Sequence, residues 1–499
     1  MRVEKNRTRT LWLLLAFTAL AFLTMGYHPG AEDDTVYVTA VKSILNPALY
    51  PHDTQFFRVQ LQATAFAPFM AGLVRATGIP VAWMELLAQF LSIFLILLAS
   101  WQIVGRLFDE AEARWGAIAL LAAMLTLPVA GTALYIVDQY LHPRAIATAL
   151  ILFAVSRIMA GKRWHAVPLL AGAFAMHPMM GALGISFCCM LTLTFLEPVQ
   201  ALFRDLLKRP VAEATPVAGM LPLGWLFEPP TKPWLTAINA RPWFRLYDWT
   251  WYEWLGAIAP LAIFFAVARI ARRQGNSNLA AFATAVLAYG VFQQAVAMII
   301  LGPHAWIVLS ALEPMRYLHL VYVFLALVAG AYLGKYVLGA RAWRWTVFLL
   351  LANGAMFAAQ RQLFAGSPHL ELPRTASANP WLQAFRWIRH NTPENAYFVL
   401  DPHYMAAPGE DNHSFRALAE RSQLADAIKD SAVLTKVPEL GPTWERQVQA
   451  QAGWQHFQLA DFERLKDQFG VDWALVPYPE PNGLSCPWHN RDLAVCQIP

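Results

Sequence analysis

Three carboxylates stand together where the first long apolar run of the chain ends. The stretch "GYHPGAEDDTVYVTAVKSIL", from Gly26 to Leu45, contains Glu32, Asp33 and Asp34. A carboxylate held at the start of a helix can accept a proton from an attacking hydroxyl group. It can equally cap that helix, because it satisfies free backbone N–H groups and favours the positive end of the helix dipole. The sequence therefore leaves capping and general-base catalysis open for Asp33 and Asp34.

Further polar side chains gather at the predicted outer ends of other apolar runs. They are His52, Asp53, Asp138, His142, His177, Glu253, Glu313 and Arg316.

Two residues of this set have a structural interpretation that needs no substrate. Arg316 could be a side chain that reaches the membrane interface from a helix end. His177 in "MHPMM" could stabilise a helix break, or it could contact a substrate.

The composition is that of an integral membrane protein. Of 499 residues, 57% are hydrophobic and only 14% are charged, and the mean hydropathy is +0.38. Soluble chains carry far more charge. The first apolar run lacks an obvious small-x-small cleavage site and many further runs follow, which favours a membrane span over a signal peptide.

Runs long enough to suggest membrane spans recur along the first three quarters of the chain. The predicted spans are 11–27, 81–107, 115–134, 145–160, 166–176, 179–195, 217–227, 254–270, 279–300, 317–334 and 345–364. A crossing needs roughly 20 apolar residues, so the expected fold is a polytopic α-helical membrane protein with about 11 transmembrane helices. The helix that begins near Thr35 has apolar residues at four-residue spacing and is expected to lie on the membrane surface.

Basic residues fall on alternate loops of this arrangement. They are Arg106, Arg114, Arg157, Lys162, Arg163, Arg204, Lys208, Arg209, Arg269, Arg272, Arg273, Lys335, Arg341 and Arg344. Lys and Arg mark cytoplasmic loops, so the N-terminus is predicted to be cytoplasmic and the C-terminal part extracytoplasmic. The net charge of +5 then faces anionic lipid, and it is no sign of nucleic-acid binding.

The chain divides into a membrane module over residues 1–364, with a first outer loop at 28–80, and a small α/β domain over 365–499. In the domain, "PWLQAFRWIRHN" predicts a helix, and "AYFVL" and "VDWALVPY" predict strands. Cys486 and Cys496 are expected to form a disulfide in an oxidising compartment. Free thiols, or a zinc site with His489, are the alternatives. His403 and His413 lack ligand-like spacing and are assigned to a surface loop.

Several functional classes find no support in the sequence. No phosphate-binding Walker sequence, dinucleotide fingerprint or nucleophile elbow is present. Most predicted spans also lack the mid-span ionisable residues that pumps and ion-coupled transporters use as relays.

"DDTVYVTAVKSIL" resembles the D-E-x-x-Y-x-x-x-x-x-x-x-L pattern in the first outer loop of C-type membrane glycosyltransferases. This superfamily includes the aminoarabinose transferase of lipid A and the protein O-mannosyltransferases. Asp33 matches the first acid, and Asp34 stands where Glu is usual. "TAFAPFMAGLVRATGIP" is similar to the juxtamembrane helix of the superfamily, and "YIVDQYLHPRA" to its short outer turn, with Asp138 at the second acidic position. "WIRHNTPENAYFVL" and "FGVDWALVPY" resemble its outer domains.

The resemblance implies a sugar donor on polyprenyl phosphate, a glycan, lipid or protein acceptor, and inverting transfer on the outer face of a bacterial inner membrane. Asp33 would be the general base, with Asp34 and Asp138 as further acidic candidates. A divalent metal ion (Mg, Mn or Zn) on Asp33, Asp138 and His52 could serve as a Lewis acid instead.

The departing phosphate would need cationic groups. A guanidinium can hold two phosphate oxygens at once, so Arg316 is the first candidate, with Arg58 and Arg144 as others. His52 is a further candidate for substrate binding.

The rival hypothesis is a non-catalytic membrane protein on the same scaffold, such as a transporter or assembly partner for lipid-linked glycans. An enzyme needs its acids at one outer cavity, whereas a transporter needs a polar path through the core.

Overall fold

The computed structural model describes residues 2–195, 230–302 and 304–499. This part of the chain is mostly helical, with a small mixed β-sheet near the C-terminus. Five of its helices are long and apolar enough to cross a membrane: Arg7–Met25, Val81–Leu107, Trp251–Arg273, Ser277–Leu301 and Ile307–Leu338. The chain is therefore a multi-pass membrane protein.

The first 363 residues contain α1–α14 and a short hairpin. The helices are α1 Arg2–Met25, α2 Asp34–Leu45, α3 Gln55–Ala63, α4 Phe66–Thr77, α5 Val81–Leu107, α6 Ala111–Ala123, α7 Pro143–Met159, α8 Ala166–Met176, α9 Pro178–Thr194, α10 Lys232–Asn239, α11 Trp251–Arg273, α12 Ser277–Leu301, α13 Leu318–Tyr332 and α14 Ala342–Leu363. The two-residue strands β1 Pro128–Val129 and β2 Leu134–Tyr135 pair antiparallel between α6 and α7.

The prediction of eleven spans is wrong for the described residues, where five helices qualify. At 1.5 Å per residue, the 13 residues of α6 and the 11 of α8 reach only about 20 and 17 Å, against an apolar core of about 30 Å. The 17-residue helices α7 and α9 are also short. Helix α14 has polar residues in its last turns, including Gln360 and Arg361, and does not qualify. The predicted span 217–227 lies outside the described residues.

The loop at 28–80, which is predicted to be the first outer loop, forms α2, α3 and α4. Its helix α2 was expected on the membrane surface, but residues Asp34 to Val41 are all buried. Tyr37 and Val41 pack with Phe66 and Met70 of α4 in one apolar cluster. Lys42 of α2 donates to the carbonyl of Ala417, beyond the last span. The C-terminal domain thus covers the helix that follows the acidic residues.

The C-terminal domain contains a five-stranded sheet with helices on both faces. Its helices are α15 Pro380–Asn391, α16 Phe415–Ala419, α17 Lys429–Leu434, α18 Gly441–Ala450 and α19 Leu459–Phe469. Its strands are β3 Tyr397–Val399, β4 Ser422–Gln423, β5 Trp473–Pro477, β6 Ser485–His489 and β7 Leu493–Gln497, in the order β4-β3-β5-β7-β6. Strand β3 is parallel to β4 and β5, and β7 is antiparallel to β5 and β6.

Alternation along β3 sends apolar residues to both faces of the sheet. Phe398 packs with Phe385 and Ile388 of α15, whereas Val399 packs with Phe462 and Leu465 of α19. The predicted helix at 380–391 and the predicted strands at β3 and β5 are confirmed. Cys486 on β6 and Cys496 on β7 are joined as a disulfide.

Helices α6 and α13 cross at very close range. A Cβ atom added to Gly330 would lie 2.5 Å from the carbonyl oxygen of Gly116, and one added to Gly116 would lie 2.6 Å from the Cα of Gly334. Gly330 and Gly334 are four residues apart and share one helix face, the pattern that lets backbones meet in membrane proteins. This contact fixes α6 against the longest candidate span.

Candidate functional site

Asp33 stands at the N-cap position of α2, but its side chain makes no capping hydrogen bond. The Oδ1 atom instead accepts from Nζ of Lys429 at 2.9 Å, and Oδ2 lies 3.5 Å from Nε2 of His142. Lys429 also contacts Glu32. The Asp33 side chain keeps 43% of its surface exposed. The carboxylate therefore borders open space between the first outer loop and the C-terminal domain.

The charges around Asp33 keep it ionised. Burial by the surrounding protein would raise its pKa, but Lys429 and His142 together outweigh that effect and hold the pKa of Asp33 well below its usual value. Against the effect of burial, Asp33 and Glu32 raise the pKa of Lys429. At neutral pH the site therefore contains a carboxylate and an ammonium group in contact.

Asp34 occupies a different environment from its neighbour. Its side chain is buried, and Oδ2 accepts a hydrogen bond from the backbone N–H of Gly30 at 2.8 Å. Burial, with a contribution from the Glu85 carboxylate, raises the pKa of Asp34 well above its usual value. Through this hydrogen bond Asp34 stabilises the turn that carries Asp33. Its side chain does not face the open space.

Asp138 is held in a buried ion pair. Both of its carboxylate oxygens accept from Arg144, at 2.7 and 2.6 Å, and both side chains are almost fully buried. Neither group is therefore free for the catalytic or phosphate-binding role predicted for it. The pair fixes the turn before α7, where the backbone N–H of Arg144 donates to Nδ1 of His142. This bond leaves the Nε2 proton of His142 on the side of Asp33.

Two further cations share one carboxylate. Arg316 pairs with Glu313, which also contacts Lys436 at 3.0 Å. The charges of Asp33, Arg144 and Arg316 all act on Tyr37 of α2, so Arg316 lies in the same region as Asp33.

Two of the remaining predicted substrate ligands, His52 and His177, contact other parts of the protein, and the third, Arg58, is exposed. The ring of His52 stacks on Tyr397 at 4.3 Å, and its backbone N–H donates to Ser422 in the C-terminal sheet. Arg58 lies exposed on α3. His177 caps α9, where its Nδ1 accepts from the backbone of Met180 at 3.3 Å; its ring centroid lies 5.7 Å from that of His142.

The structure does not gather the predicted metal ligands Asp33, Asp138 and His52 into one site. Asp138 is occupied by Arg144, and His52 contacts the C-terminal sheet. Within the described ranges, only His28, Glu371 and His413 form a group of three or more metal-ligand side chains with all ligand atoms within 4.8 Å of one another.

The group of His28, Glu371 and His413 joins three distant parts of the chain. Nδ1 of His28 lies 2.7 Å from Oε1 of Glu371, and Nε2 of His413 lies 3.0 and 3.1 Å from the two carboxylate oxygens. Both histidines are fully buried and Glu371 is 10% exposed. The assignment of His413 to a surface loop is therefore wrong, whereas His403 is exposed.

Sequence reasoning did not assign Lys429, His28 or Glu371 to a site, and it noted His142 only as a polar residue at a predicted helix end. His142 and His28 both lie in stretches that contain the candidate acids, but nothing in a single sequence pairs them with partners more than a hundred residues away. Lys429 is 396 positions from Asp33. Its place on a short helix gives no local signal of a site.

The family comparison covers one part of the C-terminal domain. Residues 379–432 match the family model described as a domain of unknown function, DUF6798. The matched range begins at the N-cap of α15 and ends within α17, so it contains both His413 and Lys429. No curated protein matches the chain.

Proposed function

We propose that this chain is a membrane glycosyltransferase that transfers a sugar from a polyprenyl-phosphate donor to a glycan, lipid or protein acceptor. Asp33 is the general base of the reaction. The proposal includes a cytoplasmic N-terminus in a bacterial inner membrane and a C-terminal domain on the outer face. It combines the resemblance of the first outer loop to C-type glycosyltransferases with the surroundings of Asp33.

One observation carries the proposal: the carboxylate of Asp33 has no capping bond at the helix start and borders open space. A side chain kept for capping would accept from the backbone N–H of the second or third helical residue. Asp33 is instead ionised and in contact with Lys429 and His142. An ionised, accessible carboxylate at a fixed position is what a general base requires.

The reaction needs a proton acceptor and a stabilised leaving group. The acceptor hydroxyl oxygen forms a bond to the anomeric carbon while the bond from that carbon to the phosphate oxygen breaks. The hydroxyl proton passes to Asp33, and the bonding electron pair leaves with the lipid phosphate. Attack from the face opposite the phosphate inverts the anomeric carbon.

Lys429 links binding to the basicity of Asp33. A carboxylate with a strongly lowered pKa is a weak base, because proton transfer is most effective when the pKa is near the working pH. The donor phosphate is a competing anion for Lys429. As Lys429 turns from Asp33 towards the phosphate, the pKa of Asp33 rises and the carboxylate becomes a better base.

Arg316 and Lys436 are the further cations for the phosphate. They share Glu313 at the start of the segment that leads into α13. An incoming phosphate could replace part of this contact without leaving a buried charge unpaired, since Lys436 is 37% exposed. Arg144 is not a phosphate ligand in this proposal, because its guanidinium is paired with Asp138.

The test is release of free lipid phosphate by the purified protein from a panel of polyprenyl-phosphate sugars with candidate acceptors. Asp33→Asn should reduce turnover by roughly 10²–10⁴-fold, because the amide cannot accept the proton. Folding should be preserved, since the Asp33 side chain makes no capping hydrogen bond and Lys429 keeps Glu32 as a partner.

Asp109→Asn is the matched control, because Asp109 is fully exposed beyond α5. This variant should retain wild-type turnover. An Asp33→Asn protein with wild-type turnover would overturn the role of Asp33. A folded wild-type protein that binds the donors but releases no lipid phosphate would favour the transporter or assembly hypothesis.

A further inference from the structure

The group formed by His28, Glu371 and His413 has two imidazole nitrogens directed at one carboxylate. His28 follows α1, Glu371 follows α14, and His413 lies just before α16. The ligand atoms come from the segments that follow α1 and α14 and from the loop before α16. A cation at their centre would bind all three segments.

The hydrogen bonds of His413 define which of its nitrogens is available. Its Nδ1 lies 2.7 Å from the backbone carbonyl oxygen of Glu410, so Nδ1 carries a proton and donates it. In the neutral ring, the lone pair of Nε2 then points at the two oxygens of Glu371. Two acceptors at 3.0 and 3.1 Å need a positive species between them, either a second proton on the ring or a metal ion.

The group lies beside buried polar atoms that have no partner among the described residues. Glu410 is fully buried, and Glu371 is 10% exposed. Among the ion pairs of the described residues, Glu371 contacts only the two histidines, and Glu410 forms none with Lys or Arg. Oε1 of Glu410 and Nε2 of His28 are buried without a hydrogen-bond partner. Buried polar atoms without a protein partner are places where an ion or a water molecule can bind.

Backbone pairing holds the three ligands in register. Tyr27 donates to the carbonyl of His369 and accepts from the N–H of Glu371. Ala31 forms an antiparallel bridge with His413. Ligands that are fixed by neighbouring backbone bonds form a preorganised site.

We propose that His28, Glu371 and His413 bind a zinc ion that fastens the C-terminal domain to the ends of α1 and α14. Two imidazoles and one carboxylate are a ligand set that zinc accepts, with a fourth position left for water. Two atoms bound to tetrahedral zinc lie roughly 3.3–3.6 Å apart, so the His413–Glu371 contact needs to open by roughly 0.2–0.6 Å and the His28–Glu371 contact by roughly 0.6–0.9 Å. The Nδ1 bond of His413 to a backbone carbonyl is the outer contact typical of a metal-bound histidine.

This site is separate from the proposed transfer chemistry. His28 lies five residues before Asp33 in the chain. Zinc at this site therefore affects Asp33 only through the position of the loop that carries both residues. Zinc binding is therefore measured directly, without an activity assay, and its outcome does not depend on whether the chain is a glycosyltransferase.

The experiment uses the full-length protein in detergent, purified without a polyhistidine tag and stripped with a chelator. Zinc sulfate is titrated, and bound zinc is measured by mass spectrometry after desalting. We expect about one zinc ion per chain, as a single three-ligand site requires. Glu371→Gln should weaken binding by more than the ~10–100-fold that loss of an outer contact costs. His403→Ala, which removes an exposed histidine of the same segment, should bind zinc as the wild type does.

Two results would overturn the proposal. The first is a wild-type protein that binds no zinc after the titration. The second is equal binding by Glu371→Gln and the wild type, which would locate the metal elsewhere. Because a misfolded variant would also lose zinc, the wild type is titrated with cobalt(II) as well. A visible absorption band typical of nitrogen and oxygen ligands is expected, and its absence would also contradict the site.

Discussion

At the scale of single residues, Lys429 determines the ionisation of Asp33. Its ammonium group contacts both Glu32 and Asp33, and it lies on the domain that covers the outer loop. Asp34, one residue away, has the opposite environment, with a raised pKa and a buried side chain. Two adjacent aspartates thus have pKa values shifted in opposite directions, because their surroundings differ.

Replacement of Lys429 should move the pH dependence of turnover. In Lys429→Met the carboxylate of Asp33 loses its main counter-charge, so its pKa rises from its lowered value. Because the ionised form of Asp33 is the base in the proposed reaction, the acid limb of kcat/KM against pH should shift to higher pH. Measured profiles of the free enzyme report this pKa directly.

Lys162→Met is the control, since Lys162 lies exposed between α7 and α8. Its profile should match that of the wild type. An unshifted acid limb in a folded, active Lys429→Met protein would show that Asp33 is not the group that titrates.

At the scale of elements, the close crossing of α6 and α13 is the contact least tolerant of change. Gly330→Ala would place a methyl group 2.5 Å from a backbone carbonyl and 2.8 Å from the Cα of Ala117. Neither atom can yield without moving a helix, so the free energy of unfolding should fall by about 1–3 kcal/mol. The loss of stability is measured as a lower midpoint temperature of thermal unfolding in detergent.

Gly354→Ala gives the matched comparison. A Cβ atom at this position of α14 meets nothing within 4 Å, and alanine favours a helix by up to about 1 kcal/mol over glycine. This variant should be as stable as the wild type or slightly more stable. If both variants lose stability equally, helix contact is not the cause.

The elements that the sequence predicts well are those with a complete local pattern. The helix at 380–391 begins with Asn379 as an N-cap that accepts from Trp381 and Leu382, and its apolar residues repeat at helical spacing. The membrane helices were overcounted because hydropathy reports an apolar run and not the length of the helix. Breaks at Met124 and His177 end α6 and α8 early.

At the scale of the whole molecule, the orientation in the membrane remains a prediction from the basic loops. Arg491→Cys and Arg163→Cys, each in a background without Cys188 and Cys189, provide exposed reporters on opposite predicted sides. An impermeant maleimide applied to intact cells should label the first and not the second. Labelling of position 163 alone would reverse the arrangement, and it would place Asp33 in the cytoplasm.

Only the residues of the candidate site that stand out in their local sequence could be predicted. The acids of the first outer loop, and Asp138 with Arg144, were recognisable because they end apolar runs. The ion pair between Asp138 and Arg144 was not predictable, because it forms across a turn that only the fold defines. Lys429 and His413 were beyond reach, because they meet the first outer loop through contacts between opposite ends of the chain.

That separation between Asp33 and Lys429 sets an order of events during synthesis. At ~5–20 residues per second, the ribosome adds Lys429 roughly 20–80 s after Asp33. Throughout this interval the acidic loop has no counter-charge and no covering domain, while the membrane helices are already being inserted. A chain released after residue 338 but before residue 429 would contain the five candidate spans of the described residues and would lack Lys429. Translation itself therefore delays the contact between Asp33 and Lys429 until the last domain emerges.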